Sequence, residues 1–238
     1  MLSVFIVDEI PQTGEISIVG DEAHHAAAVV RIQQGDELIV TDGRGNSAHV
    51  RVTSATKKIV LCEVLSREVS APNPTQFTVV QALTKGDRAR ETIELLTEAG
   101  VDVIAPWSSQ RSVGQWKDDA QAKWQSWARE ATKQSRRVWI PHVTDLHSTT
   151  SVAELIKSHT CALVFHESSS VKLSQFLEGK LHERVLIIIG PEGGLAEEEV
   201  SSFVSAGGTV VGMGKPVFRS AHAGAVALAA VQTALGIW

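Results

Sequence analysis

Short apolar and alternating runs dominate the chain up to residue 70. Turn-forming residues separate these runs, which is the pattern of β-strands. The predicted strands are 2–7, 15–19, 37–41, 48–54 and 59–65. One helical stretch, 21–31, lies among them. Short strands with a single helix predict a small barrel.

The pattern of hydrophobic and polar positions changes after a proline-containing stretch at 70–74, beyond which predicted strands and helices alternate. The predicted strands are 77–83, 101–106, 161–165, 185–189 and 209–212. The predicted helices are 89–99, 118–137, 151–158, 173–177, 197–205 and 220–235. Such alternation predicts a parallel sheet with helices on both faces. We therefore expect an α/β protein with a β-barrel domain over 1–70 and a parallel-sheet domain over 75–238.

Composition excludes several classes of protein. The chain is 43% hydrophobic and 21% charged, as expected for a folded protein and not for a disordered one. Its apolar runs are shorter than the roughly 18–20 residues of a membrane span, and its first residues lack the pattern of a signal peptide. The two cysteines, Cys62 and Cys161, lie in apolar strands, which predicts buried thiols and neither a disulfide framework nor a metal site. These features predict a cytoplasmic protein.

A glycine-rich segment directly follows the buried strand 185–189. It reads Gly190-Pro191-Glu192-Gly193-Gly194, and ligands of open α/β sheets bind beyond the carboxyl ends of the strands. The spacing is that of neither a dinucleotide fingerprint nor a phosphate loop, and Glu192 would repel a pyrophosphate. The segment therefore indicates an uncharged or cationic ligand held by backbone groups. A tight turn between strand and helix is the alternative.

Two further strands of the predicted sheet end in residues suited to a binding site. Phe165-His166-Glu167 follows one strand, and Met213-Gly214-Lys215 follows another. Because parallel strands end at the same edge of a sheet, these loops and the glycine-rich segment are expected to form one pocket. The alternatives are a surface position for His166 and simple packing for Met213.

The start of the closing helix carries a second polar group, Arg219-Ser220-Ala221-His222. We expect Ser220 to cap this helix. Arg219 is suited to holding a phosphate or orienting a base. It is equally suited to an ion pair with Glu192.

Basic residues are concentrated in one part of an otherwise acidic chain. Residues 109–142 hold seven Lys and Arg against three Asp and Glu, whereas the whole chain has a net charge of -5. Such a cluster is typical of a nucleic-acid site, although it also fits a solvated helix face. On the predicted helix 118–137, Trp124 and Trp127 share a face with Ala128, and this helical spacing favours core packing over base stacking.

Taken together and in this order, these features resemble the SPOUT RNA methyltransferases, and among them the RsmE type. The segment 189–194 matches the hallmark Ile-Gly-Pro-Glu-Gly-Gly, the most specific motif. The segments 24–35, 95–101, 130–141 and 213–219 resemble other family signatures, and Lys85 resembles a family lysine. The resemblance covers nearly the whole chain.

The resemblance implies a PUA-like barrel followed by a methyltransferase domain with a deep trefoil knot. It implies a homodimer that uses S-adenosylmethionine to methylate uridine N3 in 16S ribosomal RNA. The implied cofactor-binding residues are Phe165, His166, Glu167, Ile189, Gly190, Gly193, Gly194, Met213, Gly214, Val217 and Phe218. The candidate catalytic residues are Arg219, Glu192 and His222, and the candidate RNA-binding residues are Arg31, Arg111, Lys133, Arg136 and Arg137.

The chain departs from the family pattern at the closing helix. Where the family usually has Arg-x-Glu-Thr-Ala, residues 219–223 read Arg-Ser-Ala-His-Ala, so the acidic residue is absent. Residues 1–70 are also net acidic. Three alternatives therefore stay open: an inactive RNA-binding relative, a SPOUT enzyme that methylates transfer RNA ribose, and a dinucleotide-dependent dehydrogenase. The absence of a Gly-x-Gly-x-x-Gly motif opposes the last of these.

Overall fold

The computed structural model describes residues 2–86, 88–177 and 182–238, which divide into two compact units. The first unit comprises Met1–Pro72 and Thr132–Ile140. The second comprises Asn73–Ala131 and Pro141–Trp238. The sequence predicts the division near residue 72 but gives no sign that residues 132–140 belong with the first unit.

A five-stranded sheet and one helical segment form the first unit. The strands are β1 (Val4–Ile6), β2 (Ile16–Val19), β3 (Glu37–Thr41), β4 (Asn46–Ala55) and β5 (Ile59–Val69). Their order in the sheet is β1-β3-β4-β5-β2, with β1 and β3 parallel and the other pairs antiparallel. The predicted helix 21–31 is a short helix α1 (Gly20–His24) that continues as a π-helix, His25–Val30.

The strands of this unit form because apolar residues alternate along them. Val50 and Val52 of β4 are fully buried, whereas Arg51 between them is exposed. Register shifts between β4 and β5 curl the sheet around its core. The predicted small barrel is thus a curled sheet in which β1 and β2 stand at the two edges, as expected for a PUA-like domain.

Residues 138–140 complete the first unit by pairing with the turn between β3 and β4. The amide of Gly45 donates to the carbonyl of Val138 at 2.9 Å, and the amide of Ile140 donates to the carbonyl of Gly43 at 2.9 Å. Trp139 forms a β-bridge with Arg44. This turn is therefore fixed by a segment distant from it in sequence.

The second unit is a parallel six-stranded sheet with helices. Its strands are β6 (Gln76–Ala82), β7 (Val103–Trp107), β8 (His142–Val143), β9 (Cys161–Phe165), β10 (Arg184–Ile189) and β11 (Thr209–Val211). Its helices are α2 (Arg88–Glu98), α3 (Ala120–Gln134), α4 (Thr149–Ser158), α5 (Leu173–Leu177), α6 (Glu197–Ser205) and α7 (Ser220–Ala234). The strand order is β11-β9-β10-β6-β7-β8. Only β8, which is two residues long, was not predicted.

Both faces of this sheet are covered, as predicted. Ile187 of β10 belongs to the apolar cluster that includes Leu96 of α2, whereas its neighbour Ile188 belongs to the cluster that includes Phe203 of α6. All four side chains are fully buried. Adjacent residues of the central strand therefore face opposite layers of helices, which explains its continuous apolar sequence.

Helix α3 is shorter than the predicted 118–137, since it ends at Gln134. Its last residues, from Thr132, are grouped with the first unit. Trp124 and Ala128 are buried in the core of the second unit, which confirms core packing for the tryptophan face. Arg136 has a φ of 57° and lies beyond the helix. Arg136 is therefore not part of the helix, although the predicted helix 118–137 includes it.

Within the described residues, no helix combines the length and apolar character needed to span a membrane. The same residues contain no group of three His, Cys, Asp or Glu side chains arranged to hold a metal ion.

Candidate active site

A cavity of about 350 Å³ lies where β9, β10 and β11 end. Its lining residues are Phe165, His166, Glu167, Ile189, Gly190, Pro191, Glu192, Gly194, Leu195, Met213, Gly214, Pro216, Val217, Phe218, Arg219, Ser220 and Ala223. The three loops expected at one edge of the sheet therefore share a cavity. Its volume lies in the range of sites for small molecules.

Two of the predicted site residues lie outside the lining of this cavity. Gly193 is absent from the lining, although Gly190 and Gly194 on either side of it are present. His222 is absent as well, and its Nε2 lies 3.0 Å from Oε1 of Glu91. His222, a candidate catalytic residue, therefore lies beside Glu91 and outside the lining of this cavity.

The hydroxyl of Ser220 links the glycine-rich loop to the last helix. It donates to the carbonyl of Gly190 at 2.7 Å and accepts from the side-chain amide of Gln81 at 3.1 Å. The prediction that Ser220 caps α7 is wrong, because Arg219 occupies the capping position and makes no side-chain capping bond. Ser220 instead joins the ends of β6 and β10 to the first turn of α7, and the sequence alone gave no signal for this link.

Arg111 holds the other end of the same loop. Its Nη1 donates to the carbonyl of Gly193 at 3.1 Å and lies 3.4 Å from the carbonyl of Leu195. Arg111 therefore has a structural contact that the sequence did not indicate, because this nitrogen of its guanidinium is directed at backbone carbonyls of the glycine-rich loop, while its predicted role in RNA binding stays a prediction. A guanidinium suits this task, since its N–H groups form a rigid fork.

A buried carboxylate fixes the segment after the loop. Glu199 is 4% exposed; its Oε2 accepts from the amide of Ala196 at 3.0 Å, and its Oε1 accepts from the amide of Gln110 at 2.8 Å. Glu199 thus ties the start of α6 to the segment that carries Arg111. Sequence reasoning missed this residue because three consecutive glutamates begin the helix and only one of them is buried.

Glycine is required at two positions of the loop for different reasons. Gly194 has a φ of 73°, which other residues rarely adopt. At Gly190, a Cβ atom would lie 2.9 Å from Cδ2 of Leu195, a buried side chain. The loop therefore holds its backbone groups where a bulkier sequence would not fit.

The charged groups in the cavity wall favour a cationic ligand. Glu167 and Glu192 contribute carboxylates, and Arg219 contributes the opposing charge. Within the described chain, no ion pair joins Arg219 to Glu192, so the predicted alternative of an internal pair is not observed. Both side chains are exposed and remain able to meet a ligand.

The predicted RNA-binding residues of the first unit differ in their availability. Lys133 is buried, and its Nζ forms an ion pair of 2.9 Å with Oε1 of Glu22. This position argues against its predicted role, because an ammonium paired with a carboxylate at a buried site is poorly placed for a phosphate contact. Arg31 and Arg136 are exposed, and Arg137 is partly exposed.

Comparisons with known proteins agree with the geometry of both units. A model described as an RNA methyltransferase domain matches residues 71–232, and an RNA methyltransferase PUA domain matches residues 18–65. Ribosomal RNA small subunit methyltransferase E of Mycobacterium bovis is 36% identical over 99% of this chain and 93% of its own length. The protein of the same name from Bacillus subtilis is 31% identical over 94% of this chain and 92% of its own length.

A solved structure extends the comparison to the fold and to a ligand. Ribosomal RNA small subunit methyltransferase E from Neisseria gonorrhoeae, bound to S-adenosyl methionine, superposes with a TM-score of 0.87. It is 25% identical, and the match covers 98% of each chain. With a matching domain model and a full-length relative above 30% identity, this chain belongs to the RNA methyltransferase family, in the group named ribosomal RNA small subunit methyltransferase E.

Proposed function

We propose that this protein transfers a methyl group from S-adenosylmethionine to N3 of a uridine in the 16S RNA of the small ribosomal subunit. The observation that carries the proposal is the cavity at the glycine-rich loop, in a chain similar over its full length to enzymes named for small-subunit ribosomal RNA methylation. Its place of action would be the cytoplasm, where ribosomal RNA is found.

The charge and the polarity of the cavity lining suit S-adenosylmethionine. A sulfonium cation would be stabilised by a wall with more carboxylates than cations, as Glu167, Glu192 and Arg219 provide. Backbone groups at Gly190 and Gly194 would hold the polar edge of the adenine, and Phe165 would supply an apolar wall. When bound, this cofactor supplies a methyl group activated by the positive sulfur.

The acceptor chemistry explains why charged residues are needed beside the cofactor. Uridine N3 carries an imide proton and is a poor nucleophile until the proton leaves. The resulting anion is spread over O2 and O4, where a cation would stabilise it. Arg219 lies in the cavity wall, is exposed, and is our candidate for this contact or for a phosphate next to the target base.

We assign RNA binding to residues 1–70 as a PUA-like domain, and methyl transfer to residues 75–238 as a SPOUT domain with a trefoil knot. Arg31, Arg136 and Arg137 are the candidates for phosphate contacts. A homodimer is part of the proposal, since it is implied by the family resemblance.

The test is methyl transfer from labelled S-adenosylmethionine to small ribosomal subunits from cells that lack this protein, followed by nucleoside mass analysis. We expect N3-methyluridine. Another methylated nucleoside would contradict the proposed acceptor. Cofactor binding without transfer would favour an inactive RNA-binding relative, which the sequence Ala221-His222 makes the second candidate.

A further inference from the structure

A second cavity adjoins the cofactor cavity in the same unit. It has a volume of about 580 Å³ and is lined by Lys85, Gly86, Arg88, Glu91, Val113 and Glu192. Glu192 also belongs to the wall of the cofactor cavity, so the two spaces meet at this residue. A ligand in the second cavity would therefore lie next to the cofactor site.

Two cations of this second cavity have no ion-pair partner among the residues that the structure describes. Lys85 and Arg88 are exposed, and within the described residues neither side chain forms a salt bridge. By contrast, Arg90 on the same helix is paired with Glu94 at 2.7 Å. The charges of Lys85 and Arg88 are therefore not neutralised by any described carboxylate, and an anionic ligand is the partner we expect for them.

One carboxylate of the cavity is held in position by a histidine. Oε1 of Glu91 lies 3.0 Å from Nε2 of His222, and within the described residues Oε2 of Glu91 has no hydrogen bond. The Glu91 and His222 side chains are 53% and 40% exposed. An ion pair with that exposure contributes little to stability. What the contact does provide is an orientation for Glu91, in which Oε1 faces His222 and Oε2 has no hydrogen bond among the described residues.

We propose that the second cavity receives the target uracil and that Glu91 is the residue that accepts its N3 proton. This inference rests on the proposed function. The N3–H bond breaks, its electron pair stays on N3, and the proton joins Oε2 of Glu91. Lys85 and Arg88 act together with Arg219 in compensating the charge that develops on O2 and O4. His222 is a positioning residue that acts through Glu91.

This assignment accounts for the altered sequence at the start of α7. The chain lacks an acidic residue at Ala221, which is buried, and carries His222 next to it. His222 reaches from α7 to a carboxylate on α2, and that carboxylate lines the second cavity. A proton acceptor is thus supplied by α2 and oriented by α7.

The first experiment compares Glu91→Gln with the matched control Glu94→Gln on small subunits that lack the modification. Glu94 lies on the same helix but outside the cavity. We expect Glu91→Gln to lower kcat by about 10²-fold or more, with little change in KM for RNA or in Kd for S-adenosylmethionine. We expect Glu94→Gln to match the wild type. Wild-type turnover by folded Glu91→Gln would overturn the assignment.

A more acidic acceptor separates proton abstraction from a structural effect. Small subunits whose RNA contains 5-fluorouridine carry an N3 proton that leaves more easily, so they need less help from a base. The defect of Glu91→Gln should therefore shrink on these subunits. An equal defect on both substrates would show that Glu91 does not accept the proton.

Variants at the other positions test the remaining roles. His222→Gln retains a donor toward Glu91 and should keep most of the activity, whereas His222→Leu should lower kcat. Lys85→Gln and Arg88→Gln should lower activity on uridine RNA, with Arg90→Gln as the unaffected control. Equal activity of the two His222 variants would contradict the positioning role. The proposed function fails if the wild type itself forms no N3-methyluridine. If the wild type forms it and the variants are as active as the wild type, the proposed function stands and only the assignment of Glu91 fails.

Discussion

The hydroxyl of Ser220 donates a hydrogen bond of 2.7 Å to the carbonyl oxygen of Gly190. This bond joins the first turn of α7 to the loop that begins the cofactor cavity. The side-chain amide of Gln81 donates to the same hydroxyl. The buried side chain of Ser220 therefore connects β6, the glycine-rich loop and α7.

Replacing Ser220 by alanine should therefore affect cofactor binding as well as stability. The carbonyl of Gly190 and the amide of Gln81 would each lose a buried partner. We expect Ser220→Ala to lower the free energy of unfolding by about 1–3 kcal/mol and to weaken S-adenosylmethionine binding. Denaturant titration and calorimetry measure the two effects. Ser201→Ala, at an exposed position of α6, is the control. Unchanged cofactor affinity would contradict the proposed role of the bond.

Arg111 can be tested as a clamp for the loop against its predicted role as an RNA contact. Arg111→Gln removes the donor to the carbonyls of Gly193 and Leu195. A lost charged hydrogen bond costs about 1.5–3 kcal/mol, so we expect Kd for S-adenosylmethionine to rise roughly tenfold or more. Lys123→Gln, at an exposed ion pair, is the control. A lower salt dependence of RNA binding, with unchanged cofactor affinity, would support the RNA contact and contradict the clamp.

The ion pair between Lys133 and Glu22 should support the first unit and not RNA binding. Lys133→Met would leave the carboxylate of Glu22 without this partner at a site where the two side chains are 7% and 15% exposed. We expect the free energy of unfolding to fall by about 3 kcal/mol. The double variant Lys133→Met with Glu22→Gln should recover much of the loss. A changed salt dependence of RNA affinity in a stable Lys133→Met would support a phosphate contact by Lys133.

Arg31 and Arg136 are the only non-glycine residues of the described chain with positive φ, at 62° and 57°. A side chain in this region costs about 1–2 kcal/mol, which glycine avoids. Arg136→Gly should therefore fold at least as stably as the wild type while it loses RNA affinity. The slope of log affinity against log salt should decrease by about one.

Arg136→Lys provides the matched control, because it keeps both the charge and the strained backbone. It should retain the salt slope of the wild type. If Arg136→Gly retained that slope as well, Arg136 would not contact phosphate. The same comparison applies to Arg31.

The turn that begins at Asp42 should make stability depend on acid pH. Burial raises the pKa of Asp42, but hydrogen bonds from the Asn46 side chain and from the amides of Arg44 and Asn46 outweigh it, so the pKa lies below its ordinary value. A lowered pKa in the folded state stabilises the protein above the unfolded value of about 4, and the effect is lost as pH falls through the folded value. Asp42→Asn should thus be less stable at neutral pH, with a difference that narrows below about pH 4. A difference in stability between the wild type and Asp42→Asn that did not change with pH would contradict this account.

Local patterns in the sequence were enough to predict most of the fold. The continuous apolar run of β10 follows from burial on both faces of its sheet. The alternating runs of the first unit follow from burial on one face only. The meeting of three loops at one cavity followed from the parallel arrangement of their strands. Even the tryptophan face of α3 was correctly interpreted, because its spacing is that of a helix.

Contacts between residues that are distant in the sequence could not be predicted from these local patterns. Arg111 reaches a carbonyl 82 positions away, and Lys133 pairs with a carboxylate 111 positions away. In the sequence both resemble exposed cations in a basic cluster. Their partners are not adjacent on any one strand or helix, so only the folded chain shows that one holds a loop and the other is buried.

The pairing of residues 138–140 with the turn at 43–45 bears on the order in which the chain can fold during synthesis. When a ribosome has released residue 72, the amide of Gly45 and the carbonyl of Gly43 still lack their backbone partners. Those partners emerge only after the whole of residues 73–131 has been made. The first unit thus reaches its final form late in translation, and a protease that cuts between 73 and 131 would leave it as two fragments held together without a covalent link.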